Sequence, residues 1–385
     1  MKKEITLKNN KFIFTLFKEY YFKNIENLRP PIEMHNREFG IMTFDSRVIR
    51  HLSFSKLGNL KAYIIQNVPS DIFCSNAYYQ FPTFPINEKG WKGADMIFDI
   101  DLNDLLLPCQ KEHTFYICYN CQVVFRDLTK KCHECQHTKI LKNTISCFRC
   151  INALKKETKN LTEFLKKDFG IKEENIEVSF SGNTGFHVVV FQNNYLMLDS
   201  KARSDIVGYV MGKNLSPESL GVRKDKHGYR IKIPLSGYSY GWRKRIVQKM
   251  KISEVSNDYL NKFIKKIGGY QSFKNEIDKI ASELGLKIDP QVTTDIHRIF
   301  RMVGSLNSKS GLSKITCNNL DKFDPMTDSC FFDDNKNIDI SLNIPLKFSI
   351  KGKKYHLDKS ISTVPVSVAV FLISKKLANI ISCSS

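Results

Sequence analysis

Two aspartates one residue apart, Asp99 and Asp101, are the residues whose type and spacing most directly suggest chemistry. They end the run from Ala94 to Asp101, and alternate side chains of a strand share a face, so both carboxylates point the same way. At about 5 Å and an effective dielectric of about 20, they would repel by roughly 3 kcal/mol. A divalent cation is a natural neutraliser of such a pair. The alternative is a strand end that carries two solvated acids.

A second group of potential ligands lies between residues 109 and 150. Three Cys-x-x-Cys pairs follow Cys109 and His113, and together they match two four-ligand zinc sites. The simplest division gives one site to Cys118, Cys121, Cys132 and Cys135, and the other to Cys109, His113, Cys147 and Cys150. Other pairings stay open, with His133 and His137 as competing ligands. Closed four-ligand sites hold structural zinc, whereas a redox role of the thiols is the alternative.

A third segment, Ser181 to His187, lies between two predicted strands, Ile176 to Phe180 and Phe186 to Phe191. Its glycines let backbone amides approach an anion, and its hydroxyl and imidazole are further donors. A triphosphate would fit such a loop. The alternative is a plain hairpin loop with His187 on an inward face.

A fourth segment begins at Asp289 and precedes a predicted short helix. The buried stripe of that helix is formed by Ile296, Ile299, Phe300 and Val303. Arg298 and Arg301 lie on another face of the predicted helix, and Lys309 follows in a loop from which it can reach phosphate. A solvated basic face is the alternative for these cations.

The pattern predicts an α+β fold with a mixed sheet, a zinc-binding insertion and a helical subdomain. Helical spacing marks residues 10–25, Ile151 to Phe169 before Gly170, most of 200–285, and 364–380, whereas strand-like runs occupy 38–66. The predicted segments are a catalytic core in three parts (1–108, 151–199 and 286–385), the zinc insertion (109–150) and the helical subdomain (200–285).

Composition narrows the class of protein. The 385 residues are 42% hydrophobic, and 59 Lys+Arg against 39 Asp+Glu give a net charge of +20, which favours a polyanionic partner such as nucleic acid. No apolar run reaches a membrane-spanning length, and the first residues carry no secretory signal. We therefore expect an intracellular, cytoplasmic and nucleoid-associated protein in which cysteines bind metal more readily than they form disulfides.

The order of these segments resembles the small catalytic subunit of archaeo-eukaryotic replicative DNA primases, in particular the archaeal form. The resemblance spans roughly residues 20–330, and several ordered motifs are more specific than any single one. The residues that carry it are Arg37 to Gly40, Arg50 and His51, Ser75, Ala77 to Tyr79, Lys89 to Asp101, Ser181 to His187, and Asp289 to Leu312.

The resemblance implies roles for specific residues. Asp99, Asp101 and Asp289 would form a catalytic triad that holds two Mg²⁺ or Mn²⁺ ions for nucleotidyl transfer. The implied nucleotide-binding residues are Arg37, Ser181, Gly182, His187, Arg301 and Lys309. The family's zinc motif matches Cys109, His113, Cys147 and Cys150, so the Cys118 to Cys135 ribbon resembles an insertion into that motif. One or two structural Zn²⁺ ions are therefore expected.

The chain departs from the family pattern on the phosphate side. Asn183 and Thr184 stand where relatives often have arginine, and Asn307 stands where many have histidine. Lys309 and Arg298 are candidates to compensate for these changes.

The implied function is synthesis of short RNA primers de novo on single-stranded DNA during replication, with deoxynucleotides as a further substrate class. The implied partners are the template, nucleoside triphosphates and a large primase subunit that carries an iron–sulfur cluster. The alternatives are an end-joining or damage-tolerance enzyme of the same superfamily, an Asp-x-Asp glycosyltransferase, and a non-catalytic zinc-ribbon protein that binds nucleic acid.

Overall fold

The computed structural model describes residues 2–225, 228–231, 240–252 and 256–383. These residues form a mixed α/β fold whose sheets are antiparallel. The helices are α1 (Lys2–Asn24), α2 (Leu57–Asn67), α3 (Leu102–Leu105), α4 (Gln110–His113), α5 (Phe148–Phe169), α6 (Asn193–Leu196), α7 (Ser200–Val210), α8 (Gly241–Lys249), α9 (Asn257–Lys266), α10 (Tyr270–Leu284), α11 (Pro290–Thr294), α12 (Pro325–Asp328) and α13 (Val366–Ser374).

The strands are short and spread over the whole described chain. They are β1 (Phe39–Met42), β2 (Val48–Leu52), β3 (Asp71–Ser75), β4 (Ala77–Tyr79), β5 (Trp91–Ala94), β6 (Met96–Asp101), β7 (Thr114–Cys118), β8 (Val124–Phe125), β9 (Ile140–Thr144), β10 (Ile176–Phe180), β11 (Gly185–Val190), β12 (Val222–Asp225), β13 (Gly228–Ile231), β14 (Ile299–Arg301), β15 (Ile315–Thr316), β16 (Asn337–Leu342), β17 (Leu346–Ile350), β18 (Lys353–Leu357), β19 (Ile361–Pro365) and β20 (Ala378–Cys383).

The aspartate strand forms as the alternation predicts. Met96, Phe98 and Ile100 are fully buried on one face of β6, and the two aspartates lie on the other. The strand is at the edge of a four-stranded antiparallel sheet in the order β15-β10-β11-β6. Helix α5 packs against β11 and β6, and it ends before Gly170, whose φ of 64° suits a glycine cap. Both the strand and the end of this helix are therefore confirmed.

The second four-stranded sheet, in the order β14-β3-β1-β2, corrects two predictions. Residues 57–67 form helix α2, so the strand-like reading of 38–66 is wrong in its second half. The predicted basic helix is also wrong, because Ile299–Arg301 is strand β14, paired with β3 in the register Arg301↔Phe73. Backbone pairing with the edge of β3 holds residues 299–301 as a strand. In this segment the helical conformation is limited to α11.

The carboxyl-terminal region also differs in part from expectation. Helix α13 ends at Ser374, and residues 378–383 continue as β20, which pairs with β16. The predicted helix over 364–380 is thus confirmed only in its central part. Strand β20 also contacts α1, so the end of the described chain packs beside its beginning.

A continuous hydrophobic core joins the predicted segments. It includes Phe17, Ile117, Leu161, Phe273 and Ile340, one residue from each predicted segment. The region 200–285 contains α7 to α10 and the β12–β13 hairpin, whereas residues 226–227, 232–239 and 253–255 lie outside the described ones. The proposed domain boundaries stay a prediction. No described helix combines the length and apolar character needed to cross a bilayer.

Candidate active site

The third aspartate is brought to the pair by a backbone hydrogen bond. The amide of Asp289 donates to the carbonyl of Asp99 at 3.0 Å, which places Asp289 against the free edge of β6. Its side chain caps α11, where Oδ1 accepts from the amide of Gln291 at 2.9 Å and Pro290 occupies the first turn. Local capping chemistry and a strand edge together position this carboxylate.

Neutral donors orient the carboxylate of Asp101. The hydroxyl of Thr184 donates to Oδ2 at 2.8 Å, and the side-chain amide of Asn103 donates to Oδ1 at 2.6 Å. The backbone amide of Asn103 also donates to Oδ1, at 2.9 Å. These contacts fix the direction of the carboxylate without neutralising its charge.

Ionisation of Asp99 is disfavoured by its surroundings. Its side chain is 22% exposed, and burial together with the charges of Asp101 and Asp289 raises its pKa to about 7. The guanidinium of Arg298 opposes this shift. A carboxyl group whose ionisation is this unfavourable gains strongly from a nearby cation. The donor set, oxygen atoms from three carboxylates, is the one that Mg²⁺ and Mn²⁺ prefer.

The three aspartates are spread more widely than a single-ion cluster. In the described part of the chain, the groups whose ligand atoms all lie within 4.8 Å of one another are formed by cysteines. Two-metal sites place their ions about 3.5–4 Å apart and distribute the ligands over both. The wider spacing of the aspartates is compatible with that arrangement.

His187 lies directly beside Asp99 because β11 pairs with β6 in the register His187↔Asp99. Its Nε2 is 3.6 Å from Oδ1 of Asp99, and its Nδ1 is 3.2 Å from Nζ of Lys314. Burial and the charge of Lys314 lower the pKa of His187 well below its usual value, so the ring is neutral. An ammonium group has no acceptor, so Nδ1 accepts from Lys314 and the ring proton is on Nε2, which faces the aspartate.

The predicted phosphate loop closes the hairpin between β10 and β11. The hydroxyl oxygen of Ser181 accepts from the amides of Gly185 at 3.2 Å and Asn183 at 3.4 Å, which leaves its proton free to be donated. Gly182 has a φ of 83°, and a Cβ there would lie 3.1 Å from the carbonyl of Leu312. At Gly185 a Cβ would lie 2.6 Å from the carbonyl of Ile100. Both glycines are therefore required by the backbone packing.

The predicted cations have different surroundings. Lys309 is exposed and lines a cavity of about 390 Å³ together with Asp101, Asn183 and Thr184. Arg301 is largely buried, and its Nη1 donates to Oδ1 of Asp71 and to the carbonyl of Leu306, both at 2.6 Å. Lys309 is thus free to meet a ligand, whereas the guanidinium of Arg301 is partly occupied.

Arg37 lies in the interior. Its guanidinium is fully buried, donates to Oδ2 of Asp95 at 2.6 Å and to the carbonyl of Asn76 at 2.6 Å, and lies over the ring of Tyr78. These contacts build the strand ends that lead into β6. The role of Arg37 in nucleotide binding stays a prediction, and its burial restricts that role to an indirect one.

Two buried lysines near the site were not found from the sequence. Burial lowers the pKa of Lys314 to about 8 and that of Lys375 to about 7. Lys314 contacts His187, and Lys375 contacts the phosphate loop. Both contacts join residues that are far apart along the chain, so no local pattern marks them.

The cysteines form two groups in the division that the spacing predicts. In the first, Cys118–Cys135 and Cys121–Cys132 have Sγ–Sγ distances of 3.5 Å and 3.4 Å. Four thiolates around a tetrahedral zinc, with Zn–S bonds of about 2.3 Å, have sulfurs about 3.8 Å apart. A backbone amide at His137 lowers the pKa of Cys135 to about 6, which favours the thiolate. This four-cysteine group is compatible with zinc.

The second group contains three thiols. The Sγ atoms of Cys109, Cys147 and Cys150 are 3.5–3.9 Å apart. His113 is not part of this close group, although it ends the short helix α4 that follows Cys109. The ligand role of His113 stays a prediction.

Comparison with known proteins assigns the family. A family model described as DNA primase small subunit matches residues 134–316. The DNA primase small subunit PriS of Nitrosopumilus maritimus (strain SCM1) is 42% identical over 378 residues, which cover 96% of this chain and 98% of that protein. The chain belongs to the DNA primase small subunit family. The PriS proteins of Cenarchaeum symbiosum (strain A) and Thermoplasma volcanium are 36% and 28% identical, each across 94% of this chain and 96% of the relative.

Membership in this family confirms the resemblance that the motifs indicated. It also confirms the predicted fold class. The chain is the small, catalytic subunit of a DNA primase and therefore a nucleotidyltransferase. The small-subunit name of its relatives implies a large subunit as a partner. Because the similarity covers nearly the whole chain, it includes β6, the Ser181–His187 loop and Asp289.

Proposed function

We propose that the chain starts RNA primers de novo on single-stranded DNA, and accepts deoxynucleotides as well, by nucleotidyl transfer at Asp99, Asp101 and Asp289. The observation that carries the proposal is the convergence of three carboxylates, from a strand and a distant helix cap, beside the loop that contains Ser181 and His187. An attacking hydroxyl and a triphosphate need this combination of anionic and donor groups close together.

The three aspartates would hold two Mg²⁺ or Mn²⁺ ions. When bound, such ions lower the pKa of the attacking hydroxyl and stabilise charge on the leaving pyrophosphate. Asp101 is already directed by Thr184 and Asn103, so it needs little reorganisation to become a ligand. Release of the proton that Asp99 retains near neutral pH accompanies its conversion to a ligand.

Groups beside the three aspartates would bind the nucleotide. Lys309 supplies a free ammonium group. The hydroxyl oxygen of Ser181 already accepts from a loop amide, so its O–H remains available to donate. His187 is neutral and presents Nε2–H towards Asp99, so it supplies a hydrogen-bond donor without adding charge. Arg298 faces the same region and adds a positive field.

The proposed macromolecular partners are the DNA template and the large subunit. A net charge of +20 supports binding to a polyanionic strand, with an affinity that falls as salt rises. The iron–sulfur cluster expected in the large subunit would lie outside this chain, and the cysteine groups here have the spacing of zinc sites.

The two cysteine groups are proposed to hold two structural zinc ions, with His113 as the fourth ligand of the second. Measurement of zinc on the purified chain should give about two per chain, and Cys132→Ser should lower this by about one. A value of one in the wild type with loss of all zinc in Cys132→Ser would restrict the metal to the four-cysteine group.

The central experiment supplies the purified chain with single-stranded DNA, nucleoside triphosphates and Mg²⁺ or Mn²⁺. We expect short oligomers that require the template and contain complementary nucleotides. Asp99→Asn and Asp101→Asn should abolish the products, whereas Asp358→Asn, at an exposed position far along the chain, should not. Products that persist in the two site variants would refute the assignment of the site.

A further inference from the structure

A buried lysine connects three parts of the chain behind the phosphate loop. Lys375 is 2% exposed and lies directly after helix α13. Its Nζ donates to the carbonyl of Thr144 at 3.0 Å and to Oδ1 of Asn183 at 2.6 Å. The carboxyl-terminal helix, the zinc-binding insertion and the loop between β10 and β11 therefore meet at one ammonium group.

This contact fixes the orientation of Asn183. An ammonium group has only donors, so the side-chain amide must turn its carbonyl oxygen towards Lys375. The NH₂ group of Asn183 then faces away from Lys375. Asn183 itself lines the cavity of about 390 Å³ that also contains Asp101 and Thr184, so its two N–H donors are available to a ligand there.

The same cavity has the charge that a polyphosphate requires. Three exposed lysines line it, namely Lys142, Lys309 and Lys376. The two oxygens that accept from Lys375 are both neutral, so its charge is not cancelled by an ion pair and its field extends towards the loop. Asn183 and Thr184 are uncharged. The positive charge near this part of the loop therefore comes from lysines elsewhere in the chain.

We propose that Lys375 is a positioning residue that directs the amide of Asn183 onto the outer phosphates of a nucleoside triphosphate bound in this cavity. The inference rests on the proposed function and adds to it a binding group that comes from the end of the chain. Burial lowers the pKa of Lys375 to about 7 while Asp101 opposes the shift, so an anion in the cavity favours the ammonium form.

The test is direct binding of ATP with Mn²⁺, in the absence of template, by titration calorimetry on the full chain. Lys375→Met and Asn183→Ala should each weaken ATP binding about tenfold, as expected for loss of one well-placed bond to a charged group. The double variant should be no weaker than either single one, because both remove the same interaction. Lys375→Arg should retain most of the affinity. AMP binding should not change in any variant.

Lys353→Met is the matched control, because Lys353 is exposed on β18. Asn183→Asp is a second test that does not depend on the stability of the Lys375 variant. It keeps an acceptor for Lys375 and removes both N–H donors, so we expect it to weaken ATP binding at least tenfold and to leave the melting temperature near that of the wild type.

The outcomes separate this inference from the proposed function. A wild-type chain that does not bind ATP would contradict the proposed function itself. Wild-type binding of ATP together with unchanged binding by Asn183→Ala and Asn183→Asp would overturn the inference alone. Additive losses in the double variant, or equal losses for AMP and ATP, would also overturn it.

Discussion

The carboxylate side of the proposed site and its cation side are built in opposite ways. On the carboxylate side, Asp101 receives hydrogen bonds from neutral donors and Asp289 caps a helix, and the repulsion of both from Asp99 is left in place. On the cation side, Arg301 and Lys375 already donate to protein oxygens. The carboxylates repel one another where no cation is bound, whereas Arg301 and Lys375 are already satisfied by protein acceptors.

This difference determines what a substitution does. Under the proposed function, removing a carboxylate takes away a metal ligand and also relieves repulsion, so we expect activity to fall while the fold is retained. Removing a buried cation leaves its acceptors unpaired, so stability falls first. The following variants test the contrast.

Asp99→Asn should have the largest effect on activity, a loss of about 1,000-fold or more in primer synthesis, because it removes a proposed ligand of the metal ions at the reacting groups. The same variant should melt at a higher temperature than the wild type at pH 8 when Mg²⁺ and Mn²⁺ are omitted. Lower activity combined with higher stability is the signature of the carboxylate side.

The pH dependence of that stability gain follows from linkage. The pKa of Asp99 rises from 3.8 to about 7 on folding, so the folded state binds more protons than the unfolded state between these values. This group's contribution to stability is therefore lost as pH rises from about 4 to 7. The difference in melting temperature between Asp99→Asn and the wild type should grow over that window. A constant difference would contradict the raised pKa.

Arg301→Leu should act mainly on stability. It leaves Asp71, which is 3% exposed, without its ion pair, and breaking a buried pair costs about 3–5 kcal/mol. Urea unfolding would measure the loss. The matched control is Arg47→Leu, because Arg47 pairs with Asp45 at an exposed position where water screens the ion pair and little stability is lost. Equal losses in both variants would show that Arg301 is not held as described.

Lys309→Met should act on affinity without affecting stability. Its side chain is exposed in the cavity, so its removal leaves no buried acceptor unpaired. We expect the KM for the nucleoside triphosphate to rise about tenfold, as for loss of one charge-assisted contact, with a melting temperature close to the wild type. A large fall in melting temperature would place Lys309 among the structural cations instead.

Thr184→Val should have the smallest effect. It removes the hydroxyl that donates to Oδ2 of Asp101 and keeps the side-chain volume. Loss of one such bond to a charged group amounts to about 1.5 kcal/mol, so kcat should fall by roughly tenfold or less. Steady-state kinetics at saturating Mn²⁺ would measure it. An unchanged kcat would show that Asn103 alone directs the carboxylate.

Sequence patterns predicted the parts of the site whose geometry is local. Alternation along β6 fixed the faces of Asp99 and Asp101, and glycine at the end of a helical stripe fixed the end of α5. The four-cysteine group follows from two Cys-x-x-Cys pairs, since each pair brings two thiols together within one turn. In these cases neighbours along the chain decide the structure.

The parts that depend on distant contacts were not predictable in the same way. The apolar spacing around Phe300 suits a helix. These residues nevertheless pair with the open edge of β3 and form strand β14. Lys314 and Lys375 reach the site only through the packing of the whole fold. Resemblance to a family supplied Asp289, because nothing near it in the chain links it to β6.

Template-dependent primer synthesis by Asp289→Asn is the most direct test that three carboxylates act as one site. Asp289 joins the pair only through the fold, by the bond from its amide to Asp99, which the substitution keeps. We predict that the variant folds as the wild type does and yields no detectable oligomers with Mg²⁺ or Mn²⁺. Synthesis at the wild-type rate would contradict the proposed site.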